Sequence, residues 1–327
     1  MNASKPIGSL SLDLDNKWSY MKTHGDPGWE SFPSYLDILV PRVLKFLADR
    51  NLTITFFVVG QDAALARNHN ALRAIAAAGH ELGNHSFTHE PWLHLFSKER
   101  IEQEIAQTEE AIEALTASRP LGFRGPGFSF SDNTLRVLIE RGYLYDASCL
   151  PTWIGPLARA YYFMTSKFGK DESKKRKALF GSVKDCLAPL GQHQLKCGSD
   201  QLLEIPVTTM PWFRIPIHAS YILYLATFSR RLALFYFRFA LALCRLTAVQ
   251  PSLLLHPLDF LGCDDTSELA FFPAMKLGSE PKLRIMSEIV GIYCSTYSVL
   301  SMREHADRLL RKGELSSVNA RQPRAVL

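Results

Sequence analysis

Cysteine is scarce in this sequence, and its positions exclude the usual zinc-ribbon pattern. The chain has six cysteines in 327 residues, scattered from Cys149 to Cys294. None of them forms a C-x-x-C pair, which is the spacing that structural zinc sites use. We therefore expect reduced cysteines that pack inside a cytoplasmic protein.

The sequence also lacks a dense basic stripe and a long apolar run, and we expect no leader segment. Its N-terminus, MNASKPIGSLSLDLD, has no basic start followed by an apolar run and a cleavage site, which predicts a cytoplasmic protein. A formal net charge of +5 is too small to indicate nucleic-acid binding. No stretch of about 20 apolar residues is uninterrupted, so we expect no transmembrane helix.

What the sequence does contain is globular composition with alternating strand and helix patterns. Hydrophobic residues make up 47% and charged residues 21% of the chain. Residues 7–14 and 53–59 predict buried strands, whereas the apolar spacing in 36–50 and 98–116 predicts amphipathic helices. A single long helix is also expected at about 62–78. The alternation predicts an α/β fold of parallel βαβ units, either a barrel or a doubly wound sheet.

The alternation of strands and helices is interrupted in the middle of the chain. It stops at 151–202 and then returns, so we expect one large domain over residues 1–313 with an insertion at about 151–202. A helical apolar segment is expected at about 212–250. The polar residues 314–327 predict a disordered C-terminal tail.

Two short patterns indicate metal chemistry. Asp13 and Asp15 form a D-x-D pair at the end of the first predicted strand, and His85 and His89 stand four residues apart in H-S-F-T-H. Two histidines with one carboxylate suit zinc and similar first-row ions and leave positions open for water and substrate. Each pattern alone has an ordinary explanation, because strand-end acids usually face solvent and most histidine pairs at this spacing bind no ion.

Two further patterns follow along the chain. F-R-G-P-G-F-S at 123–129 puts Arg124 before a Gly-Pro-Gly turn, whose free backbone N–H groups can face a substrate oxyanion. L-L-L-H-P-L-D at 253–259 puts His256 at the end of an apolar strand. Taken alone, the first is equally a turn with a surface arginine, and the second equally a core histidine with satisfied hydrogen bonds.

Taken in order, these patterns resemble the polysaccharide deacetylase superfamily, also called the NodB-homology or carbohydrate esterase family 4 group. The resemblance rests on SLDLD, GHELGNHSFTH, FRGPGFS, GYLYDAS, EIPVTTMP and LLLHPLD, and it covers 7–150 well and 203–260 more loosely. It implies a distorted (β/α)7-type barrel, to which this chain adds a helical, apolar and basic insertion. The D-x-D motif and Gly127 replace the adjacent acids and the aromatic residue of extracellular members, which is more similar to the cytoplasmic branches.

The resemblance also implies one divalent metal ion as cofactor. The family's metal ligands correspond to Asp15, His85 and His89. Zn²⁺ is the expected ion, and Co²⁺, Ni²⁺ and Mn²⁺ stay open because these ligand types accept all of them. The implied reaction is hydrolysis of an N-acyl amide, acetyl or formyl, on a sugar.

The family's catalytic motif positions fall on five residues of this chain. The resemblance implies that Asp13 is the general base and that Arg124 orients it. It implies that Gly127 offers its backbone N–H to the oxyanion and that His256 is the general acid. Asp146, in YDAS, matches a supporting motif position.

The middle of the chain has features that the resemblance does not explain. Residues 167–177 hold six basic residues against two acidic ones, and 156–177 joins them to aromatic and apolar residues, as at anionic lipid surfaces. A solvated loop is the ordinary alternative. Segment 212–246 is interpreted in three ways: helices buried in the fold or in a homodimer interface, a membrane-surface dock, or a transmembrane span. Its arginines recur every seven residues, at Arg231, Arg238 and Arg245.

Three functions from different classes remain in competition. The leading hypothesis is a metal-dependent N-deacylase for a lipid-linked or glycan-precursor sugar, peripheral on the inner face of the membrane. A small-molecule C–N amidohydrolase of the allantoinase type is the alternative enzyme, although it needs no basic, apolar surface. A metal-free carbohydrate-binding scaffold is the third, which the complete set of base, ligands and acid disfavours. No nucleic-acid partner is expected.

Overall fold

The computed structural model describes residues 5–154, 188–313 and 317–319, and its centre is one curled, mixed β-sheet with helices packed against it. This is the α/β class that the alternation predicts, and the sheet curls into a half-barrel. The strands are β1 (Ile7–Leu14), β2 (Thr55–Val58), β3 (Glu81–Asn84), β4 (Gly122–Phe123), β5 (Tyr145–Asp146), β6 (His193–Cys197), β7 (Asp200–Glu204), β8 (Ser252–Leu255), β9 (Ser298–Leu300) and β10 (Ser317–Asn319).

The helices form where apolar residues recur on one side of the chain. The second helix, for example, buries Leu36, Leu39, Val43 and Leu47, as the sequence predicts. The α-helices in the described part of the chain are α1 (Lys17–His24), α2 (Leu36–Ala48), α3 (Gly60–Ala64), α4 (His69–Ala77), α5 (Lys98–Thr116), α6 (Asp132–Glu140), α7 (Ala219–Leu246), α8 (Ser279–Thr296) and α9 (Met302–Lys312).

The strand order is β10-β6-β7-β5-β4-β3-β2-β1-β8, and β9 also pairs with β1. Among the described strands only β6 and β7 are antiparallel. Because side chains alternate along a strand, Leu10 and Leu12 of β1 enter the main hydrophobic core while Ser11 and Asp13 lie on the opposite face. That polar face leads to the candidate site.

The insertion predicted at 151–202 includes residues at its end that belong to the core fold. β6 and β7 form a hairpin that joins the main sheet through β5, so residues 193–202 belong to the core fold. Their two-residue turn begins with Gly198, whose φ of 63° is a conformation that favours glycine and suits a tight hairpin. The basic run 167–177 and the segment 156–177 lie outside the described residues.

Two other expectations differ from the structure. The predicted helix at 62–78 is broken into α3 and α4, because Leu65 is extended and the Asn68 side chain donates to Asp62 Oδ1 at 3.0 Å. In the C-terminal segment, 317–319 pairs in parallel with β6, which offers an otherwise open sheet edge. The expectation of disorder at 314–327 does not hold for those three residues.

The long apolar segment forms α7, which bends at Ser229, where φ is −157° and ψ is 108°. One side of α7 is buried, with Ala233, Phe237 and Cys244 in the main core, and the helix packs along α8. The opposite side is exposed. Across the described residues, no helix combines the length and hydropathy that a membrane span needs.

Candidate metal centre and catalytic site

The candidate site lies at the carboxyl ends of β1 and β3. β1 ends at Leu14 and is followed by Asp15, and β3 ends at Asn84 and is followed by His85. Both strands pair in parallel with β2, so their carboxyl ends lie at the same edge of the sheet. Functional groups collect at this edge of parallel sheets, which is why residues far apart in the sequence meet here.

The structure brings Asp15, His85 and His89 together, and we call these three residues the ligand set. Their candidate ligand atoms lie within 4.8 Å of one another, and all three side chains are buried. Asp15 Oδ1 is 2.9 Å from His89 Nε2 and 3.3 Å from His85 Nε2, yet it accepts no hydrogen bond of regular geometry within the described ranges. Convergent, buried donors of these types, one of them left unsatisfied, fit a divalent cation.

The surroundings of the ligand set fix its protonation. His85 Nδ1 donates to the carbonyl oxygen of Arg124 at 2.6 Å, which leaves the Nε2 lone pair for a metal. Burial raises the pKa of the Asp15 carboxyl, but His89 and His85 more than reverse this, and the pKa lies well below its usual range. Asp15 is therefore an anion at neutral pH, as a metal ligand must be.

The loop between the two histidines is held by a buried carboxylate. Glu104 of α5 accepts hydrogen bonds from the backbone N–H groups of Phe87 at 3.0 Å and Thr88 at 2.8 Å. Ser86 and His89 have positive φ angles of 57° and 53°, a region that residues other than glycine adopt rarely. The bonds to Glu104 offset the cost of that conformation and keep His89 beside Asp15.

Asp13 lies next to the ligand set and is paired with a buried arginine. Its Oδ1 accepts a hydrogen bond from Arg124 Nη1 at 2.6 Å, and Arg124 has no exposed surface. Arg124 also donates to Ser11 Oγ and to the carbonyl of Ala147, both at 2.9 Å. Burial lowers the pKa of His85, but Asp15 and Asp13 raise it above its usual value, so Asp13 acts on the ligand set directly.

The Gly-Pro-Gly turn after Arg124 approaches the metal loop. A Cβ on Gly125 would lie 1.9 Å from the carbonyl oxygen of Ser129, so only glycine fits there. Gly127 has a φ of 58°, and a Cβ on it would lie 3.3 Å from Cβ of Pro91, two residues after His89. The exposed Gly127 therefore lies beside the loop of the ligand set.

His256 follows β8 at the same edge of the sheet and is held from two sides. Its backbone N–H donates to Asp259 Oδ2 at 2.7 Å, and its Nδ1 lies 3.1 Å from Ser220 Oγ at the start of α7. The backbone N–H of Asp259 in turn donates to the His256 side chain, so the two residues form a reciprocal capping box. Within the described residues Nε2 has no hydrogen-bond partner. A second imidazole, His218, has its ring centre 5.9 Å from that of His256.

Comparison with known proteins agrees with this geometry. The family model described as polysaccharide deacetylase matches residues 28–145. The peptidoglycan deacetylase of Helicobacter pylori is 29% identical over 211 residues, which cover 62% of this chain and 66% of that protein. A peptidoglycan-N-acetylglucosamine deacetylase of Bacillus cereus is 30% identical over 104 residues, and the chain spans only 37% of its length.

Solved structures extend the likeness to the whole fold. A candidate polysaccharide deacetylase from Mycobacterium smegmatis superimposes with a TM-score of 0.61 at 20% identity, covering 100% of this chain and 99% of that one. A probable polysaccharide deacetylase from Pseudomonas aeruginosa gives 0.59 at 18% identity, covering 95% and 92%.

Residues 28–145 of the chain match the polysaccharide deacetylase domain.

These comparisons confirm the resemblance to the family and the (β/α)7-type fold that the sequence motifs imply.

Asp146, the remaining motif position that the resemblance to polysaccharide deacetylases implies, lies behind the Gly-Pro-Gly turn. It accepts hydrogen bonds from the backbone N–H and the hydroxyl of Ser148, at 3.1 and 2.7 Å, and the N–H of Gly125 donates to that hydroxyl at 2.8 Å. Burial and the neighbouring Asp146 raise the pKa of Glu204 well above its usual value, and burial also raises the pKa of Asp146. Asp146 thus supports the turn from behind.

Several buried or half-buried polar residues near the site were not foreseen from the sequence. Glu104 carried a usable signal, because it lies on the same helix face as the buried Ile101 and Ile105. Lys282 of α8 is fully buried and donates to the carbonyls of Leu258 and Leu261, 2.8 and 2.7 Å away, in the loop after His256. The remaining unforeseen residues are Asp62, His218, Ser220 and Asp259.

Proposed function

We propose that this chain is a metal-dependent N-deacetylase that acts on a sugar. One observation supports this most directly: the ligand atoms of the ligand set lie within 4.8 Å of one another, beside the buried ion pair of Asp13 and Arg124. A cation next to an oriented carboxylate suits hydrolysis of an unactivated amide, because a bound cation acidifies water and the carboxylate accepts the proton that the water loses as it attacks.

In the proposed mechanism Asp13 is the general base. Arg124 holds its Oδ1 at 2.6 Å, which leaves Oδ2 to accept the proton of the attacking water. Asp15, His85 and His89 would hold a divalent ion, which when bound would supply a Lewis acid for the amide carbonyl and for water. The Gly127 N–H donates to the developing oxyanion, and Nε2 of His256 protonates the departing amine.

We propose that the substrate is an N-acetylated sugar on a glycan precursor with a lipid carrier. The names of the relatives, which include peptidoglycan and chitooligosaccharide deacetylases, support an N-acetyl sugar. Three aromatic residues near the start of α7, Trp153, Trp212 and Phe213, are 48%, 66% and 50% exposed. Indole rings stack on sugars and also favour the membrane–water interface. A precursor built on a lipid presents its sugar at such an interface.

The function predicts metal-dependent acetate release. Full-length protein loaded with Zn²⁺ is expected to release acetate from N-acetylglucosamine oligomers or lipid-linked N-acetyl sugars, and mass spectrometry of the products distinguishes acetyl from formyl loss. His85→Ala is expected to lose both the bound ion and activity, because one of three protein ligands is gone. Metal content is measured by plasma mass spectrometry, with His69→Ala as the matched control.

Two results would contradict this function. Folded protein that binds no divalent ion and releases no acetate points to a binding scaffold. Protein that binds the ion and hydrolyses a ureide, but leaves every sugar amide intact, points to the small-molecule amidohydrolase.

The contact between His256 Nδ1 and Ser220 Oγ, at 3.1 Å, predicts a second effect. Ser220→Ala removes the hydroxyl that orients the imidazole, so we expect kcat to fall about tenfold, the equivalent of one hydrogen bond. Ser220→Thr keeps the hydroxyl and is expected to restore kcat, which is measured on the same N-acetylated substrate. An unchanged kcat in Ser220→Ala means that Ser220 only packs.

A further inference from the structure

The exposed face of α7 beyond Ser229 is an apolar stripe. Leu232, Phe235 and Leu246 are 69%, 66% and 71% exposed, and Phe239 is exposed beside Phe235, with the two rings stacked at 6.4 Å. At 100° per residue these four positions fall within an arc of about 60°. The opposite face of the same helix is buried in the core, so the stripe is a separate surface that the fold leaves uncovered.

Arginines border this stripe along its length. Arg231, Arg238 and Arg245 are exposed, and each directly precedes a residue of the stripe. Within the described ranges no carboxylate pairs with them, whereas their neighbour Arg230 is paired with Glu288 of α8. The sequence holds no acidic residue between Glu204 and Asp259. The three bordering arginines therefore form a positively charged strip, and no acidic residue of α7 balances their charge.

Two of the bordering arginines line a groove between α7 and α8. Its volume is about 290 Å³, and the other lining residues are Leu241, Ala242, Ile292, Ser295 and Thr296. Because the Ser295 and Thr296 hydroxyls donate to the carbonyl oxygen of Ile292, the guanidinium groups of Arg238 and Arg245 are the donors that a phosphate would meet there. A larger cavity of about 900 Å³ beyond Arg245 adds Lys5 and Arg308 to the same positive region.

We propose that this face of α7 docks on an anionic phospholipid bilayer. Leu232, Phe235, Phe239 and Leu246 enter the boundary between head groups and acyl chains, and the three bordering arginines contact lipid phosphates. Helices with an apolar stripe and a cationic border bind membrane surfaces in this way. A second copy of the chain fits less well, because a two-fold interface through this face sets arginine against arginine.

The docking face and the candidate site share one helix. α7 begins at Ala219, next to Ser220, which contacts His256, and continues into the stripe beyond the bend. Docking therefore holds the candidate site beside the bilayer, where a lipid-linked sugar is presented. This last step rests on the proposed function, whereas the docking itself does not.

Liposome co-sedimentation of the full-length protein tests the docking. We expect binding to vesicles of phosphatidylglycerol and phosphatidylcholine, and weak binding to phosphatidylcholine alone. Replacing all three bordering arginines by glutamine is expected to weaken binding on the order of 100-fold, at about fivefold for each arginine. Phe235→Ser combined with Phe239→Ser is expected to weaken it at least tenfold by the loss of apolar insertion, roughly estimated. The matched controls are Arg284→Gln and Ile38→Ser, which lie on other exposed surfaces.

Each remaining outcome overturns the proposal. If wild type ignores vesicles and is a dimer that the double serine variant converts to monomer by light scattering, the face is a self-interface. If vesicles bind wild type and both α7 variants equally, another part of the chain docks. Thermal melting of each variant excludes misfolding as the cause of lost binding. Vesicle binding is also measured for Asp13→Asn, and metal content and acetate release are measured in the absence of vesicles. A failure of the proposed function and a failure of the docking then give different results.

Discussion

Asp13→Asn is expected to lower kcat by about 10³- to 10⁴-fold while leaving the bound ion in place. Asn cannot accept a proton, but it keeps nearly the same shape and still accepts the hydrogen bond from Arg124, which is 2.6 Å from Asp13 Oδ1. Asp13 contributes no atom to the ligand set, so the three protein ligands remain. Turnover on an N-acetylated oligosaccharide and metal content per chain are measured on the same preparation.

The contrast between two variants makes this result specific. His85→Ala is expected to lose ion and activity together, whereas Asp13→Asn loses activity alone. Asp37→Asn, an exposed acid on α2, controls for the loss of one negative charge. An Asp13→Asn protein that keeps its ion and more than about a tenth of wild-type turnover contradicts the role of Asp13 as base, because a general base contributes at least about 100-fold.

The elements nearest the site could be predicted from the sequence because local and global preferences agree there. Strand β1 and helix α5 have the predicted bounds, 7–14 and 98–116, since each shows one clear hydrophobic period. The convergence of Asp15, His85 and His89 followed from motif order, because parallel strands present their carboxyl ends at one edge.

Other features could not be predicted because they depend on contacts between distant segments. The break between α3 and α4 depends on the bond from Asn68 to Asp62, and burial raises the pKa of Asp62 to about 7 although Asn16 and Trp18 donate to it. Nothing local to Ser220 reveals that it meets His256 on another element. The β6–β7 hairpin carried a signal at Gly198, but its strands are too polar for hydrophobic periodicity to identify.

Arg124→Met is expected to destabilise the metal-free protein by about 3–5 kcal/mol. The reason is the partner left behind: Asp13 is buried, and without Arg124 its carboxylate has lost the guanidinium that contacts it at 2.6 Å. Equilibrium urea unfolding measures the change. A bound divalent ion places positive charge near Asp13, so the loss is expected to be smaller in the metal-loaded protein. Arg124→Lys keeps a charge but not the fork that reaches Ser11 and Ala147, so an intermediate loss is expected.

A double-mutant cycle separates this charge effect from the loss of packing. If the uncompensated carboxylate is the cause, Arg124→Met costs much less in the Asp13→Asn background, where no buried charge remains. If the cost is the same in both backgrounds, it arises from the buried volume of the arginine, including its contact with the Phe57 ring at 4.4 Å. Only the first outcome is consistent with Arg124 as the residue that fixes the general base.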